Sequence, residues 1–283
     1  MTKRISGKLN WLEGHLPEGL LVDAAWLAKN GYSTSLRSQY LKTGWLVQPV
    51  RGVYYRRLRG SLTWQQVVIS LQTILGMPVV VGGRTALELQ GYAHYLPTGT
   101  KEVHLYGPDA LPPWLNKLKL NTKFVHHNDQ KLFRNQPIHR AIGHVSWNLN
   151  EARATQTDPI HGGLMVQPWG QWDWPLTLST PERAILELMD ELPGRESFEQ
   201  ADKLMAGLTT LSPRRLDKLL ADCKNVKVKR LFFFFADRHQ HAWLKRLNKK
   251  AVDLGEGKRM LVKGGRLDPV YKITVPEALD AVS

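Results

Sequence analysis

The sequence is poor in the groups from which many active centres are made. It holds one cysteine, Cys223, in 283 residues. That excludes an internal disulfide framework and any multi-cysteine zinc or iron–sulfur site. No apolar run reaches the roughly 18 residues of a membrane-spanning helix. The first residues carry charge with no apolar segment behind them, which is not the pattern of a signal peptide. A cytoplasmic protein with no membrane partner is the expectation. Four of the ten histidines, His126, His127, His139 and His144, lie close together in the sequence. None falls in an HExxH spacing, and His139 and His144 would point to opposite faces of a strand. No metal and no cofactor is expected. Cys223 sits among basic residues with no assignable His or Asp partner, so it reads as a helix-terminal thiol and not a nucleophile.

Acidic side chains are also scarce. There are 39 Lys and Arg against 25 Asp and Glu, a formal net charge of +14. The excess is uneven. Residues 1–60 carry 10 basic and 3 acidic groups, residues 61–178 carry 9 and 7, and residues 179–283 carry 20 and 15. Residues 224–250 alone hold 9 basic groups and one acid, Asp237. Such a distribution favours a polyanionic partner and salt-dependent association.

The first 60 residues read as three short helices and a hairpin. Helix one is expected from Ile5 to His15, stopped by Pro17 and Gly19. Helix two is expected from Leu21 to Lys29, with Val22, Ala25, Trp26 and Leu27 inward. Asn30-Gly31 ends it. Ser33 or Thr34 caps helix three, which continues to about Thr43. Its inner face is Leu36, Tyr40 and Leu41; its outer face is Ser35, Arg37, Ser38, Gln39 and Lys42. Short donors near the N-terminus of such a helix can approach base edges in the major groove. Leu46–Val50 and Val53–Arg56 then read as strands around Arg51-Gly52, and Pro49 marks an edge strand. A basic hairpin directly after such a helix is a wing, placing Arg51, Arg56, Arg57 and Arg59 near phosphates. A three-helix protein-binding module shares much of this pattern, so both readings stand on this segment alone.

Residues 61–75 read as an amphipathic helix capped by Ser61. Strands are expected at Val79–Val81, Lys101–Tyr106, Lys123–Val125, 138–147 and 163–167. Gly82-Gly83 before a helix at Thr85–Gln90 lacks a phosphate-loop pattern, and Arg84 reads as an internal hydrogen-bonding residue. Ser179-Thr180-Pro181-Glu182 reads as a capping box, opening a helix whose Glu182, Arg183, Glu187 and Asp190 face out. Helices at 197–207 and 213–222 follow. KVKRLFFFFADRHQHAWLKRL keeps a helical period through Val228, Leu231, Phe232 and Phe235. Lys227, Lys229, Arg230, Arg238, Lys245, Arg246, Lys249 and Lys250 are expected on its outside, as a second nucleic-acid surface or a solvated basic face. The end reads as a hairpin turning at Gly264-Gly265, and 107–118 and 148–162 as loops.

The fold class expected is α+β. A winged helix-turn-helix DNA-binding domain covers 1–60, and a larger mixed α+β domain covers 61–283, with a sheet part at 76–178 and a helical part at 179–283. Asp253, Glu256 and Lys258 imitate the acid and E-x-K set of a metal-dependent nuclease. They lie in a glycine-rich turn and not on strands that would bring two carboxylates to one ion. The alternative of a nucleic-acid enzyme with a degenerate nuclease-like second domain would need Asp253, Glu256, Glu102 and Asp237 to converge.

Five segments carry a resemblance. They are GYSTSLRSQYLKTGWLVQPVRGVYYR, GGRTALELQGYAHY, STPERAILELMDELP, KVKRLFFFFADRHQHAWLKRL and GEGKRMLVKGGRLDPVYKITVP. Together they span almost the whole chain, and the chain resembles the AbiEi antitoxins of bacterial type IV toxin–antitoxin, or abortive-infection, modules. The resemblance implies a transcriptional autoregulator and not an enzyme. It implies a winged helix-turn-helix that binds double-stranded DNA at inverted repeats in its own promoter. It also implies a second domain needed to counteract a nucleotidyltransferase-like toxin without a stable complex. Recognition-helix positions map to Ser33–Lys42, wing positions to Val50–Arg57, and a basic helical surface to Lys227–Arg246. On this reading Arg37 and Gln39 read bases with Ser33, Thr34, Ser35 and Ser38 beside them. Lys42, Arg51, Arg56 and Arg57 grip phosphates. Self-association on the DNA and a nucleoid-associated location are the further expectations. Protein contact with the toxin is a weaker alternative and would show as a large apolar patch.

Overall fold

A computed structural model describes residues 2–57, 60–92, 100–135, 138 and 163–280. The strand expected at 138–147, apart from Ile138, the loop at 148–162, and Arg59, His139 and His144 lie outside the described residues.

The chain opens with helix α1 (Thr2–His15) and a short strand β1 (Leu21–Asp23). Helix α2 (Ala24–Lys29) is therefore one turn shorter than the periodicity suggests, because Asp23 is its N-cap and accepts from the Trp26 amide at 2.7 Å. Leu21 and Val22 are buried as strand residues, and Ala25 is exposed. Three apolar residues before a cap fit a buried strand as well as a helix, and tertiary pairing decides. Helix α3 (Thr34–Lys42) follows, then β2 (Leu46–Val50) and β3 (Val53–Arg56). The three strands form an antiparallel sheet in the order β1-β3-β2, so Pro49 does lie on an edge strand.

Helix α4 (Trp64–Ile69) starts at Thr63 and not at Ser61. Gln66 explains the shift: its side chain accepts from the Thr63 amide while Thr63 Oγ1 accepts from the Gln66 amide, a reciprocal cap. The helix passes into a π-helical turn at Ser70–Ile74. That segment ties the first module to the rest. Ser70 Oγ accepts from the Leu21 amide at 2.8 Å, and the buried Gln72 side chain bonds Val79 O, Thr177 O and the Thr177 amide. One hydrophobic core runs through both sides of this joint, from Leu12 and Leu27 to Leu176 and Phe232.

A five-stranded mixed sheet forms the centre of the later part: β4 (Val80–Val81), β5 (Glu102–Tyr106), β6 (Lys123–His127), β7 (Leu164–Trp169) and β8 (Trp174–Ser179), in the order β6-β5-β4-β8-β7. Strand β8 has no alternating pattern because every residue in it is buried, which hides a strand from a period-2 reading. Helix α5 (Gly83–Leu89) follows β4, and helices α6 (Pro181–Glu191), α7 (Phe198–Gly207), α8 (Pro213–Asp222) and α9 (Val226–His239) follow the sheet.

Helix α6 is central, and its charged side chains are not on a solvent face as expected. Glu182, Arg183 and Glu187 are all buried. Each has a partner in the fold, as a buried charge requires. Arg183 Nε donates to Glu187 Oε1 at 2.7 Å and its guanidinium lies over the Phe133 ring. Glu182 accepts from Arg215 Nη1 at 2.9 Å and from the Ser212 amide at 2.8 Å. The capping box is absent: Thr180 is the N-cap but makes no side-chain cap bond, and Ser179 Oγ donates to Glu187 instead. Glu187 also accepts from the Gly83 amide at 2.9 Å. That carboxylate occupies the start of α5, where a phosphate loop would place its anion. A Cβ on Gly82 would collide with Glu187 and the Tyr106 ring, which is why a glycine stands there.

The chain ends in a small hairpin, β9 (Arg266–Leu267) with β10 (Thr274–Val275). Its turn is not Gly264-Gly265. It is made at Asp268, whose carboxylate accepts from the Val270 and Tyr271 amides. Gly265 is needed for another reason: a Cβ there would lie 2.5 Å from the Val275 carbonyl.

Candidate nucleic-acid interface

Helix α3 is held from behind and left open in front. Ser33 caps it, accepting from the Leu36 amide, and the turn before it uses Gly31 at φ +79°, a left-handed position that favours glycine. Helix α1 fixes that turn. Lys8 Nζ donates to the Gly31 carbonyl at 2.7 Å, and Tyr32 OH donates to the Lys8 carbonyl at 2.7 Å. Burial, with Tyr40 beside it, pushes the Tyr32 hydroxyl up to about 12, so it stays a donor. Trp11 packs against Trp26 and Tyr32, and Tyr32 against Tyr40, giving the helix an aromatic support. Tyr40 is buried, and Leu36 and Leu41 are half-buried, so the inward face is the one the spacing predicts.

Ser35, Ser38, Gln39 and Lys42 are exposed. They stand at positions i, i+3, i+4 and i+7, which places them in one stripe along the helix. Helix α3 carries no acidic residue. Arg51 is exposed at the hairpin tip and Arg57 just beyond β3. The tip is anchored, because the Ala24 amide donates to the Gly52 carbonyl at 2.8 Å. Trp45, between α3 and β2, is 43% exposed. The sequence pattern did not single it out, since only exposure separates it from the buried aromatics of this module.

Two arginines are placed differently from expectation. Arg37 is folded back along its own helix. Its guanidinium donates to Thr34 Oγ1 at 2.9 Å, approaches the Ser33 and Ala24 carbonyls, and lies over the Tyr54 ring. It is half-buried, and it braces the first turn of α3 against β3. Arg56 is engaged inside the module: its Nη1 donates to the Glu13 and Leu16 carbonyls, each at 3.1 Å, and it faces the Glu13 and Glu18 carboxylates. A guanidinium so bonded is a clamp on the end of α1, not a free phosphate ligand. Ser33 and Thr34 are exposed, with their oxygens committed to the cap and to Arg37.

The basic residues expected outside α9 are mostly turned inward. Arg230 is 2% exposed and donates to the carbonyls of Leu254, Gly255 and Gly257. Burial pulls its pKa down. Lys229 is buried. Lys227 Nζ donates to the Leu192 carbonyl at 2.9 Å, Arg238 pairs with Asp202 at 3.0 Å, and Lys249 pairs with Asp237 at 2.8 Å. Lys245, Arg246 and Lys250 remain exposed. The expected basic shell therefore reduces to these three at the helix-to-tail junction.

The nuclease-like carboxylates do not gather. Asp237 bonds Lys249 and Tyr271, and Asp253 accepts from the Gly255 amide of its own turn. Cys223 is buried and pushed up to about 11, mainly by that burial. The exposed large apolar side chains of the later part are Trp172, Met260 and Val270 among the described residues. No described helix is long and apolar enough to cross a membrane.

These features agree with comparisons to known proteins. Residues 5–98 match the family of the AbiEi antitoxin N-terminal domain, described as a transcriptional regulator. Residues 100–276 match the family described as transcriptional regulator, AbiEi antitoxin, type IV toxin–antitoxin system. No curated protein matches the chain. The crystal structure of the RV2827C protein from Mycobacterium tuberculosis is similar in fold, with a TM-score of 0.51 at 17% identity over 96% of this chain and 89% of that one. The winged helix-turn-helix, the mixed α+β body behind it and the two family matches lead to one conclusion: the chain belongs to the AbiEi antitoxins of type IV toxin–antitoxin systems, a family of transcriptional regulators and not of enzymes.

Proposed function

We propose that this protein represses its own toxin–antitoxin promoter by seating α3 in the major groove of inverted repeats, with the wing on the flanking backbone. The observation that carries the reading is the exposed stripe Ser35, Ser38, Gln39 and Lys42 beside the exposed cations Arg51 and Arg57. Short hydroxyls and an amide suit base edges, and Gln39 offers the donor and acceptor that pair with adenine. Lys42, Arg51 and Arg57 neutralise phosphates and set the salt dependence. Arg37 acts from behind by holding the first turn that presents Ser35. An inverted repeat calls for two copies related by a twofold axis, one α3 per half-site. Occupancy of a promoter by such a pair excludes polymerase, which makes the protein nucleoid-associated while it acts.

Residues 61–283 supply the second activity, counteracting a nucleotidyltransferase-like toxin without a stable complex. The test binds the full chain to its own upstream DNA and to scrambled DNA of equal composition, across a range of salt. Tighter binding to the native sequence, with affinity falling as salt rises, supports the reading. Equal affinity for both DNAs refutes sequence-specific repression. Toxin rescue by the full chain, measured alongside in cells, separates the two activities.

A further inference from the structure

The later part of the chain holds a cluster that DNA binding does not use. His104 lies in β5, His127 in β6 and Glu191 at the end of α6. In the parallel pairing of these strands His104 is level with Val125, so His127 stands two residues further along on the same face. The two rings are 5° from parallel, and His104 Nδ1 is 2.9 Å from His127 Nε2. Glu191 Oε1 lies 2.9 Å from His127 Nδ1, and Tyr106 stacks on the His127 ring. One donor atom from each of the three lies within 4.8 Å of the others. Among the described residues no other such group of three His, Cys or acid side chains occurs. His104, 5% exposed, forms part of the wall of a cleft of about 420 Å³ bordered by Arg84, Thr85, Lys101 and Glu196.

We propose that His104 and His127, oriented by Glu191, bind one divalent first-row transition-metal ion of the zinc class. Imidazole nitrogen with a carboxylate behind it is a donor set that zinc, cobalt and nickel share. Metal–nitrogen bonds of about 2.0–2.1 Å in tetrahedral geometry place two nitrogens on one ion roughly 3.3 Å apart, so the rings need to part by only a few tenths of an ångström from their hydrogen-bonded spacing of 2.9 Å. Glu191 fixes the tautomer. It accepts from His127 Nδ1, so the lone pair of His127 Nε2 faces His104, and a carboxylate behind a ligating histidine is the usual support of such sites. His104 then carries its proton on Nε2 and turns the Nδ1 lone pair to the ion. The proton now shared between the two nitrogens moves to His104 Nε2, so two neutral rings lose no net proton, and the ion lies to one side of the line between the nitrogens. Arg195 lies 3.7 Å from the other Glu191 oxygen and helps hold that carboxylate in place. Water from the cleft completes the coordination. The expectation drawn from His126, His127, His139 and His144 missed this because the partner, His104, is 23 residues away and meets His127 only through the strand pairing.

The experiment titrates the tag-free, full-length protein with Co²⁺, read by visible d–d absorption, and with Zn²⁺ against a chromophoric chelator. One equivalent per chain is expected, lost in His104→Gln and in His127→Gln and weakened about tenfold in Glu191→Gln. Nitrogen-15 imidazole spectra of the unsubstituted chain give a second reading that does not depend on the variants folding. On zinc addition, His104 Nδ1 and His127 Nε2 should shift. No uptake by the folded protein overturns the proposal and leaves a hydrogen-bonded histidine pair. Full uptake by both histidine variants, or unshifted resonances of these two rings, overturns it by placing the ion elsewhere.

Discussion

Lys42, Arg51 and Arg57 leave α3 and the wing exposed to solvent, whereas Lys229 and Arg230, from a still more basic stretch of sequence, are buried, Arg230 against the turn at 254–257. The two regions draw on the same residue types, and the buried one is the more densely basic, with 9 Lys and Arg in residues 224–250 against 10 in residues 1–60. What differs is the supply of acceptors. Around Arg230 the turn at 254–257 presents several carbonyls that point inward, and around Lys227 the end of α6 does the same. In the winged module, described acceptors near α3 and the end of α1 are taken by Lys8, Arg37 and Arg56. A run of positive charge becomes a surface only where the fold leaves it without internal acceptors.

The largest expected effect breaks the buried side of that comparison. Arg230→Met leaves the 254–257 carbonyls unbonded, and loss of about 3 kcal/mol or more of stability is expected by urea denaturation. Unchanged stability would mean the tail does not depend on the clamp. Next, Gln39→Ala should cost about 1–3 kcal/mol on the native upstream DNA and much less on scrambled DNA. Equal losses on both would remove Gln39 from base reading. Arg56→Ala should lower stability by about 1–2 kcal/mol through its two carbonyl bonds, with the salt slope of DNA binding unchanged. A flatter slope would return Arg56 to the phosphate contacts. Arg51→Ala should weaken binding to all DNAs alike and reduce the slope of log affinity against log salt by about 1. The smallest signal is chemical. Burial raises the Cys223 thiol to about 11, so little thiolate exists at pH 8, and a thiol reagent should modify it only as the protein unfolds. Rapid modification of the native chain would show that the α8 terminus opens.

Much of the local structure of the winged module was legible because its signals are local. Gly31 before a capped polar helix, and Arg51-Gly52 between two strands, need no tertiary information to be read. The helical reading of Phe232–Phe235 also held, since period carries through a fully buried helix when flanking apolar residues extend it. What failed was non-local. Leu21–Asp23 became a strand because β3 was there to pair with it. Glu182, Arg183 and Glu187 turned inward because α5, α8 and the segment at 129–133 supply their partners from 30 or more residues away. The same holds for Arg37 against Tyr54 and Arg56 against Glu13: each side chain is exposed or not according to a neighbour that spacing along the chain does not reveal.

Which cations meet the duplex decides where the DNA sits, and one measurement addresses that directly. Two triple variants of the full chain carry the same change in charge: Lys42→Glu with Arg51→Glu and Arg57→Glu, and Lys245→Glu with Arg246→Glu and Lys250→Glu. Both are titrated with the native upstream DNA over a range of salt. The first should lose specific binding and most of the salt dependence, and the second should keep both within a small uniform offset. If the second variant loses binding while the first retains it, the DNA lies against the far end of the molecule and the winged module is not its seat.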